Sequence, residues 1–231
     1  MRISGLQKLT LLDYPGHVAC TVFTAGCNFR CSFCHNAGLV LPDRIEAEGL
    51  SEDFILGFLK KRTGVLDGVA ISGGEPLINA DMPDFLRKVK ALGYSVKLDT
   101  NGSNPKLLKT IVAEGLADRV AMDIKNAPER YALTVGCPAD MAAVEESKDF
   151  LLSGSVEYEF RTTVVKGIHT EESLLSAARW IAGAREYYLQ QFKDSGELIS
   201  AQGLGAFDKD EMYALADKIR LCVPSVKVRG V

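Results

Sequence analysis

Residues 17–34 have the sequence HVACTVFTAGCNFRCSFC, in which a run of β-branched and apolar residues leads directly into three closely spaced cysteines. The run 17–24 has the composition of a buried β-strand, and the glycine before the first cysteine allows the backbone to turn tightly. Cys27, Cys31 and Cys34 follow in the pattern C-x-x-x-C-x-x-C. Three thiolates on so short a loop can converge on one soft metal centre. We therefore interpret this loop as metal-binding.

The number of cysteines limits the kind of centre that the loop can hold. A closed structural zinc or iron-sulfur site takes four protein ligands, whereas a cubane iron-sulfur cluster held by three leaves one iron open to a substrate. His35 could complete a zinc site, but it adjoins Cys34, so both side chains would have to fold back on one ion. The spacing favours the iron-sulfur cluster over zinc, and over three cysteines with a merely structural role.

The composition excludes several classes of partner. The 231 residues include 27 basic and 30 acidic side chains, a formal net charge of -3, without a block of lysine or arginine. Nucleic acid and anionic membrane surfaces are therefore not expected as partners. No apolar run approaches the roughly 20 residues of a membrane span, and no signal-peptide region follows Met1. These features predict a cytoplasmic protein without membrane association, where cysteines are more often ligands or catalysts than disulfides.

From residue 17 onward, short apolar runs alternate with longer segments of helical period, which predicts successive βα units and a parallel sheet. The predicted strands are residues 17–24, 68–72, 95–99, 119–124, 157–165 and 187–192. Helices are predicted after the N-cap residues Ser51 and Asn104, before Gly93 and Gly115, and at about 140–153, 171–182 and 208–222. Six units are two fewer than a complete barrel contains. The predicted fold class is α/β, a partial (β/α)6 TIM-like barrel open on one side, with a doubly wound open sheet as the alternative.

The predicted organisation is one domain over residues 1–231. It comprises an N-terminal lead-in at 1–16, the six βα units at 17–222 and a C-terminal tail at 223–231. Within the lead-in, Asp13-Tyr14-Pro15-Gly16 has the composition of a turn.

Three further motifs follow predicted strands, and they are Ser72-Gly73-Gly74-Glu75-Pro76, Asp99-Thr100-Asn101-Gly102 and Met122-Asp123-Ile124-Lys125. Two adjacent glycines let backbone groups approach a ligand closely, and the Glu75 carboxylate suits a cationic amine. Carboxylates just past the strands of a parallel barrel point into its mouth. Each motif also has a simpler interpretation: a plain turn for Gly73-Gly74 and for Asn101-Gly102, and an exposed ion pair for Asp123 with Lys125.

Arg161 stands in an otherwise apolar run of the fifth predicted strand. A buried arginine needs an anionic partner and can hold a carboxylate with two hydrogen bonds. The alternative is a strand-edge arginine that faces solvent. Other candidate residues are weaker: Cys20, Cys137 and Cys222 lack ligand spacing, and His17 and His169 are expected to be structural or solvated.

The cysteine loop, with the aromatic Phe33 before its last cysteine, resembles the signature of the radical S-adenosylmethionine (SAM) enzymes. The resemblance implies a 4Fe-4S cluster on the three cysteines, whose open iron is chelated by SAM. One electron from the reduced cluster then cleaves SAM to methionine and a 5'-deoxyadenosyl radical. By the same resemblance, Gly73, Gly74, Glu75 and Pro76 form the loop that binds the SAM amino group. Arg161 is the candidate partner of the SAM carboxylate.

The motifs at Asp99 and Asp123 resemble those of the activating enzymes of glycyl radical enzymes. The resemblance places Asp99 and Thr100 near the SAM ribose or a monovalent cation close to Asp99 and Asp123, and brings Asp123 and Lys125 towards SAM. It implies a glycyl radical enzyme as partner and a flavodoxin- or ferredoxin-type electron donor. The stretch 9–16, with Cys34-His35-Asn36, is most similar to the activating proteins of anaerobic ribonucleoside-triphosphate reductase.

Three alternatives remain open from the sequence. The first is an activase of the pyruvate formate-lyase type. The second is a short radical SAM enzyme with a small-molecule substrate, such as a 7-carboxy-7-deazaguanine synthase. The third is a non-enzymatic metal-binding or electron-transfer module, which would explain the cysteine loop but not the motifs at successive strand ends.

Overall fold

The computed structural model of the chain describes residues 1–45 and 49–231. The strands in this part of the chain are β1 (Ile3–Thr10), β2 (Ala19–Thr24), β3 (Gly68–Gly73), β4 (Ser95–Thr100), β5 (Arg119–Asp123), β6 (Glu157–Lys166), β7 (Tyr187–Gln191), β8 (Gly205–Ala206) and β9 (Val226–Arg229). The helices are α1 (Ala37–Val40), α2 (Glu52–Lys60), α3 (Met82–Ala91), α4 (Pro105–Ala113), α5 (Tyr131–Val135), α6 (Met141–Leu152), α7 (Glu171–Trp180) and α8 (Lys209–Ile219). Single 3-10 turns cover Pro76–Ile78 and Pro128–Arg130.

The described residues form two compact units. The first comprises residues 1–28, 38–100 and 104–120, and the second comprises residues 29–37, 101–103 and 121–231. The prediction of a single domain remains a prediction.

In the first unit, β1 pairs antiparallel with β2, and β2, β3 and β4 follow in parallel. Residues Val69, Ala70 and Ile71 of β3 are fully buried, as expected for a parallel strand with both faces covered. The helices α2, α3 and α4 connect the strands. Because β2, β3 and β4 run in the same direction, their carboxyl ends lie at one edge of the unit's sheet.

In the second unit, β6, β7 and β9 are parallel neighbours, and the two residues of β8 pair antiparallel with the end of β6. The amide of Ile124, just past β5, donates to the carbonyl of Arg161 on β6 at 2.8 Å. The core contains the fully buried aromatic side chains of Tyr131, Phe160 and Tyr187. None of the helices in residues 1–45 and 49–231 is both long and apolar enough to cross a membrane.

The predicted elements are present, with small shifts of their ends. Each of the six predicted strands is found as β2 to β7. The Ser51 hydroxyl and the Asn104 carboxamide accept hydrogen bonds from Phe54 N and Leu107 N at 3.1 and 3.2 Å, which confirms both N-caps. Gly93 and Gly115 have φ angles of 87° and 66°. The N-caps and helix-end glycines were therefore predictable from local chemistry alone.

Two segments for which the sequence predicted no strand, the lead-in and the tail, contain strands. The lead-in contains β1, and the tail contains β9, which adds a parallel strand after α8. The sequence of β1 has no apolar pattern typical of a strand, because only its two end residues are buried and its register with β2 shifts twice. The turn predicted in the lead-in is present, since His17 N donates to Tyr14 O at 3.1 Å.

Candidate functional site

All three motif cysteines are free thiols on the loop that follows β2. Cys27 is half-buried in the first unit, whereas Cys31 and Cys34 belong to the second, where Cys34 N donates to Cys31 O at 3.0 Å. Burial raises the pKa of the Cys31 thiol to about 11, against the opposing effect of the Lys125 ammonium. A metal binds the thiolate, so metal binding at Cys31 would release the proton that burial holds on this thiol.

The backbone of the cysteine loop is anchored in each unit. In the second unit, Arg30 N donates to the carbonyl of Val135 at the end of α5 at 2.8 Å, and Ser200 N donates to Ser32 O at 2.9 Å. In the first, Gly26 N donates to Leu39 O at 2.7 Å. Backbone hydrogen bonds therefore anchor the part of the loop that lies in each unit.

The glycine-rich motif after β3 packs against the residues that precede Cys27. Gly74 N donates to Thr24 O at 3.0 Å, and Glu75 N donates to Gly26 O at 2.8 Å. A Cβ atom on Gly74 would lie only 1.9 Å from Gly26 O, and one on Gly73, whose φ is 120°, only 2.3 Å from Thr24 O. Both glycines are thus required by backbone contact with the cysteine loop.

The Glu75 side chain is 1% exposed and joins the second motif to the third. Its Oε1 accepts from the Leu77 amide at 3.0 Å, at the start of the 3-10 turn that Pro76 opens, and from Thr100 Oγ1 at 2.8 Å. Glu75 and Thr100 are therefore held in one geometry by each other. Their roles towards SAM remain predictions.

Asp99, near the end of β4, is surrounded by polar partners in the first unit. Its Oδ2 accepts from Ser72 Oγ at 3.0 Å, and its Oδ1 accepts from the Lys97 ammonium. Lys97 is 1% exposed, and it was not among the candidate residues predicted from the sequence. Its position could have revealed it, since residues two apart on a strand share a face and a buried lysine needs an anion.

The remainder of the third motif has the structure of a turn. Asn101 Oδ1 accepts from Ser103 N at 2.9 Å, Gly102 has a φ of 77°, and Gly102 O accepts from Ser147 Oγ at 2.6 Å. This geometry agrees with the simpler interpretation of Asn101-Gly102.

Asp123, Lys125 and Arg161 form one ion-pair cluster in the second unit. Lys125 Nζ lies 2.9 Å from Asp123 Oδ2, and Arg161 Nε donates to Asp123 Oδ1 at 2.8 Å. The Arg161 side chain is 14% exposed, so it is not the solvent-facing arginine of the alternative. Although burial alone would raise the pKa of Asp123, Arg161 and Lys125 together hold it well below its usual range. Asp123 in turn raises the pKa of Lys125 above its usual range, against the effect of burial.

Two buried rings hold the backbone around this cluster. Tyr131 Oη donates to Asp123 O at 3.3 Å, and the imidazole of His169 bonds to Lys125 O through Nε2 at 2.8 Å. His169 Nδ1 accepts from Val165 N at 3.1 Å, so the ring is neutral with its proton on Nε2. Phe33 is buried edge-to-face with His169, at 6.3 Å between ring centroids. His169 thus has a structural role, as the sequence analysis expected.

The chemistry of the side chains indicates which metal or cofactor the site could bind. In residues 1–45 and 49–231, no three His, Cys, Asp or Glu side chains are placed to hold one metal ion. That arrangement gives no support to a single zinc ion completed by His35. Three free thiols suit a cubane cluster, because each thiolate binds a different iron. The carboxylates and cations described above suit SAM, which carries an amino group and a carboxylate. A monovalent cation has no support here, since Asp99 and Asp123 each already contact a protein cation.

Comparison with protein families and known sequences gives consistent results. The sequence profile of the Radical SAM superfamily matches residues 21–148. A protein of Methanocaldococcus jannaschii named as a glycyl-radical enzyme activating enzyme is 30% identical over 198 residues, which is 83% of this chain and 80% of that one. Pyruvate formate-lyase-activating enzyme of Clostridium pasteurianum is 33% identical over 54% of this chain and 52% of its own. GTP 3',8-cyclase of Helicobacter pylori is 30% identical over 65% and 48%. The chain spans about half the length of the last two relatives.

Solved structures show the same fold at low sequence identity. SuiB of Streptococcus suis, solved with S-adenosylmethionine, matches 90% of this chain and 49% of its own with a TM-score of 0.70 and 13% identity. Methylornithine synthase matches 91% and 63% with a TM-score of 0.65 and 15% identity. These likenesses confirm a mixed α/β fold with a mostly parallel, open sheet of the radical SAM partial-barrel type.

Proposed function

The chain belongs to the radical SAM superfamily, and on this basis we propose that it activates a glycyl radical enzyme by removing a hydrogen atom from a glycine of that partner. The observation that carries the proposal is the 30% identity to the Methanocaldococcus jannaschii protein, because it extends over most of both chains. By contrast, the match to GTP 3',8-cyclase omits about half of that enzyme.

Contacts within each of the two units support the proposal. Gly73 and Gly74 hold the backbone that leads to Cys27. Cys31 lies near enough to Lys125 for the ammonium to oppose the rise in the thiol pKa. The Asp123, Lys125 and Arg161 cluster therefore belongs to the surroundings of Cys31, where we propose ligand contacts to a cluster and to SAM.

When bound, a reduced 4Fe-4S cluster and SAM supply the 5'-deoxyadenosyl radical that removes the hydrogen atom. The chain's own residues bind and orient these groups. Cys27, Cys31 and Cys34 would hold three irons and leave the fourth open. Lys125 and Arg161, already charged and held against Asp123, would offer donors to the SAM carboxylate without further ordering of their side chains.

Within this function, we propose anaerobic ribonucleoside-triphosphate reductase as the partner, with a flavodoxin- or ferredoxin-type protein as the electron donor. The similarity of residues 9–16 and of Cys34-His35-Asn36 to the activating proteins of that reductase supports this choice. A pyruvate formate-lyase type enzyme is the alternative partner, supported by the Clostridium pasteurianum relative.

The proposal is tested by reconstituting the full chain with iron and sulfide under anaerobic conditions. The reduced protein with SAM should form 5'-deoxyadenosine, and addition of the candidate reductase should produce a glycine-centred EPR signal. A cluster-loaded sample that forms no 5'-deoxyadenosine would exclude radical SAM chemistry. Formation of 5'-deoxyadenosine without an EPR signal on either partner enzyme would instead favour a small-molecule substrate.

The chain offers a matched control for the cluster ligands. Cys34→Ala should lose the iron and the SAM cleavage, whereas Cys137→Ala, a loop cysteine outside the motif, should retain both. A colourless protein that binds one zinc ion, cleaves no SAM and loses the zinc in Cys34→Ala would support the non-enzymatic alternative.

A further inference from the structure

Lys97 is a fully buried charged residue that the proposed function does not use. It lies in β4 two residues before Asp99, so both side chains lie on the same face of the strand. Its ammonium contacts Asp99 Oδ1, and the two side chains are 2% and 12% exposed. The position of the Lys97 ammonium matters because the family resemblance implies a monovalent metal cation, such as Na⁺ or K⁺, beside Asp99.

A second contact of Asp99 lies on its other carboxylate oxygen. Ser72 Oγ donates to Asp99 Oδ2 at 3.0 Å, and Ser72 lies in β3 at the start of the glycine-rich motif. A carboxylate and a hydroxyl are oxygen ligands of the kind that Na⁺ and K⁺ accept. The ammonium of Lys97 already occupies the position on Oδ1, and its charge equals that of a monovalent ion.

Asp123, the second carboxylate associated with the cation, is also neutralised by the chain itself. Arg161 Nε and Lys125 Nζ lie 2.8 and 2.9 Å from its two oxygens. Adding Na⁺ or K⁺ there would place a third positive charge against one carboxylate. Neither aspartate therefore needs an external counter-ion.

We infer that Lys97 is the built-in counter-ion of Asp99 and that this chain binds no monovalent metal cation at that position. Lys97 is thus a positioning residue, which fixes Asp99 and, through Ser72, the loop after β3. The inference deepens the proposed function, since Asp99 and that loop belong to the proposed SAM site. The thermal unfolding test does not depend on the activity.

Removal of the ammonium should create the cation site that the native chain lacks. In Lys97→Met the aliphatic stem remains, while Asp99 keeps its negative charge in a buried position without a cation on Oδ1. Losing one partner of a buried pair should lower Tm by roughly 10 °C. A cation bound with a Kd of about 10 mM and present at about 100 mM should then restore roughly 4 °C.

The experiment compares thermal unfolding of the full chain in NaCl, KCl and tetramethylammonium chloride at constant ionic strength. The native chain should have the same Tm in all three salts. Lys97→Met should show a saturable rise in Tm with Na⁺ or K⁺ and none with the larger cation. The double variant Lys97→Met/Asp99→Asn, which lacks both charges, should not respond. Lys88→Met, which removes an exposed lysine from a surface pair with Glu52, controls for loss of a lysine.

Two results would overturn the inference. A saturable, size-selective stabilisation of the native chain by Na⁺ or K⁺ would show that a cation binds despite Lys97. If the Tm of Lys97→Met also does not depend on the salt, the Lys97 ammonium does not occupy a position that Na⁺ or K⁺ can fill. If Lys97→Met does not fold in any salt, the inference is judged by whether the Tm of the native chain differs between the three salts. If the protein did not cleave SAM, the proposed function would be wrong. The Tm values in the three salts would still test the inference about Lys97.

Discussion

The carbonyl oxygen of Gly26 would lie 1.9 Å from a Cβ atom on Gly74, so the glycine-rich loop after β3 is in backbone contact with the segment that ends in Cys27. This contact gives the glycine motif a role that precedes any ligand. The loop sets the path of the chain into the first cysteine, and a larger residue would displace that path.

Gly74→Ala should therefore impair both folding and cluster assembly. The clash is with backbone atoms, which cannot rotate away, so we expect a destabilisation of about 2 kcal/mol. A displacement of Cys27 by about 1 Å should lower 5'-deoxyadenosine formation by roughly 100-fold. Urea unfolding, iron content and product analysis measure the effects.

Gly57→Ala is the matched control, because Gly57 lies within α2 and a Cβ there meets no atom within 4 Å. It should stabilise the chain by up to about 1 kcal/mol through helix propensity. A Gly74→Ala protein with native iron content and native activity would contradict the proposed contact between the two loops.

Arg161→Met should weaken the chain and change its response to acid. The variant removes one of the two cations that hold down the pKa of Asp123, and breaking a buried pair of this kind costs about 3 kcal/mol. Because the native pKa is depressed, the stability from Asp123 is present above the usual carboxyl value of about 4 and is lost as pH falls through the lowered pKa. The free energy of unfolding of the native chain should thus fall with pH below about 4, and that of the variant should fall less steeply.

Urea unfolding over a series of acidic pH values measures both effects. Arg87→Met is the control, since Arg87 and its partner Glu114 are 47% and 41% exposed on the surface. It should cost less than about 1 kcal/mol and leave the acid response unchanged. An Arg161→Met protein that behaves like Arg87→Met would mean that the cluster around Asp123 is as well solvated as the surface pair.

The positions of the motifs were predictable from the sequence, whereas their partners were not. Strand β3 was recognisable because Val69, Ala70 and Ile71 form a continuous apolar run, as buried parallel strands do. For Arg161 the sequence left open a solvent-facing side chain or a buried one with an anionic partner. Its partner Asp123 is 38 residues away, and the pairing of β6 with the end of β5 brings them together. Long-range pairing of this kind leaves no local signal.

The strands at the two ends of the chain, β1 and β9, were also not predictable from local sequence. Only Ile3 and Thr10 of β1 are buried, so the strand has neither an alternating nor a continuous apolar pattern. Strand β9 has four residues, Val-Lys-Val-Arg, too few for periodicity to distinguish a strand from a tail. The ion pair of Lys97 with Asp99, by contrast, was predictable, because residues two apart on a strand lie on the same face.

His169→Gln should reduce the loss of stability on mild acidification. Burial lowers the pKa of His169, so its contribution is present above the unfolded value of about 6.5 and is lost as pH falls through the lowered pKa. Glutamine cannot satisfy both Val165 N and Lys125 O in the same geometry, which should cost about 1–2 kcal/mol. The slope of unfolding free energy between about pH 5 and 7 should become shallower. It should not vanish, since burial lowers the pKa of His35 as well.

Tyr131→Phe separates this effect from general weakening of the loop. It removes the hydrogen bond to Asp123 O, but burial raises the pKa of Tyr131, so the phenol does not titrate near neutrality. The variant should lose stability and keep the native slope. If His169→Gln keeps the native slope too, the pKa of the imidazole is the same in the folded and the unfolded chain.

Arg229→Met should show that the C-terminal strand is part of the core of the second unit. Arg229 donates to both oxygens of Glu159, at 2.9 and 3.1 Å, and its guanidinium carbon lies 3.2 Å from the centroid of the Tyr188 ring. The Glu159 side chain is 0% exposed, so without Arg229 a buried carboxylate would lose its bidentate partner. We expect a destabilisation of about 3–5 kcal/mol, measured by urea unfolding.

Lys227→Met, on the same strand, is the control because Lys227 is 59% exposed and lies 3.8 Å from Glu186. It should change the free energy of unfolding by less than about 1 kcal/mol. Adding Glu159→Gln to Arg229→Met should recover part of the loss, since the double variant no longer buries a charge. If Arg229→Met were as stable as Lys227→Met, β9 would contribute little to the unit, and residues 223–231 would behave as the tail that the sequence predicts.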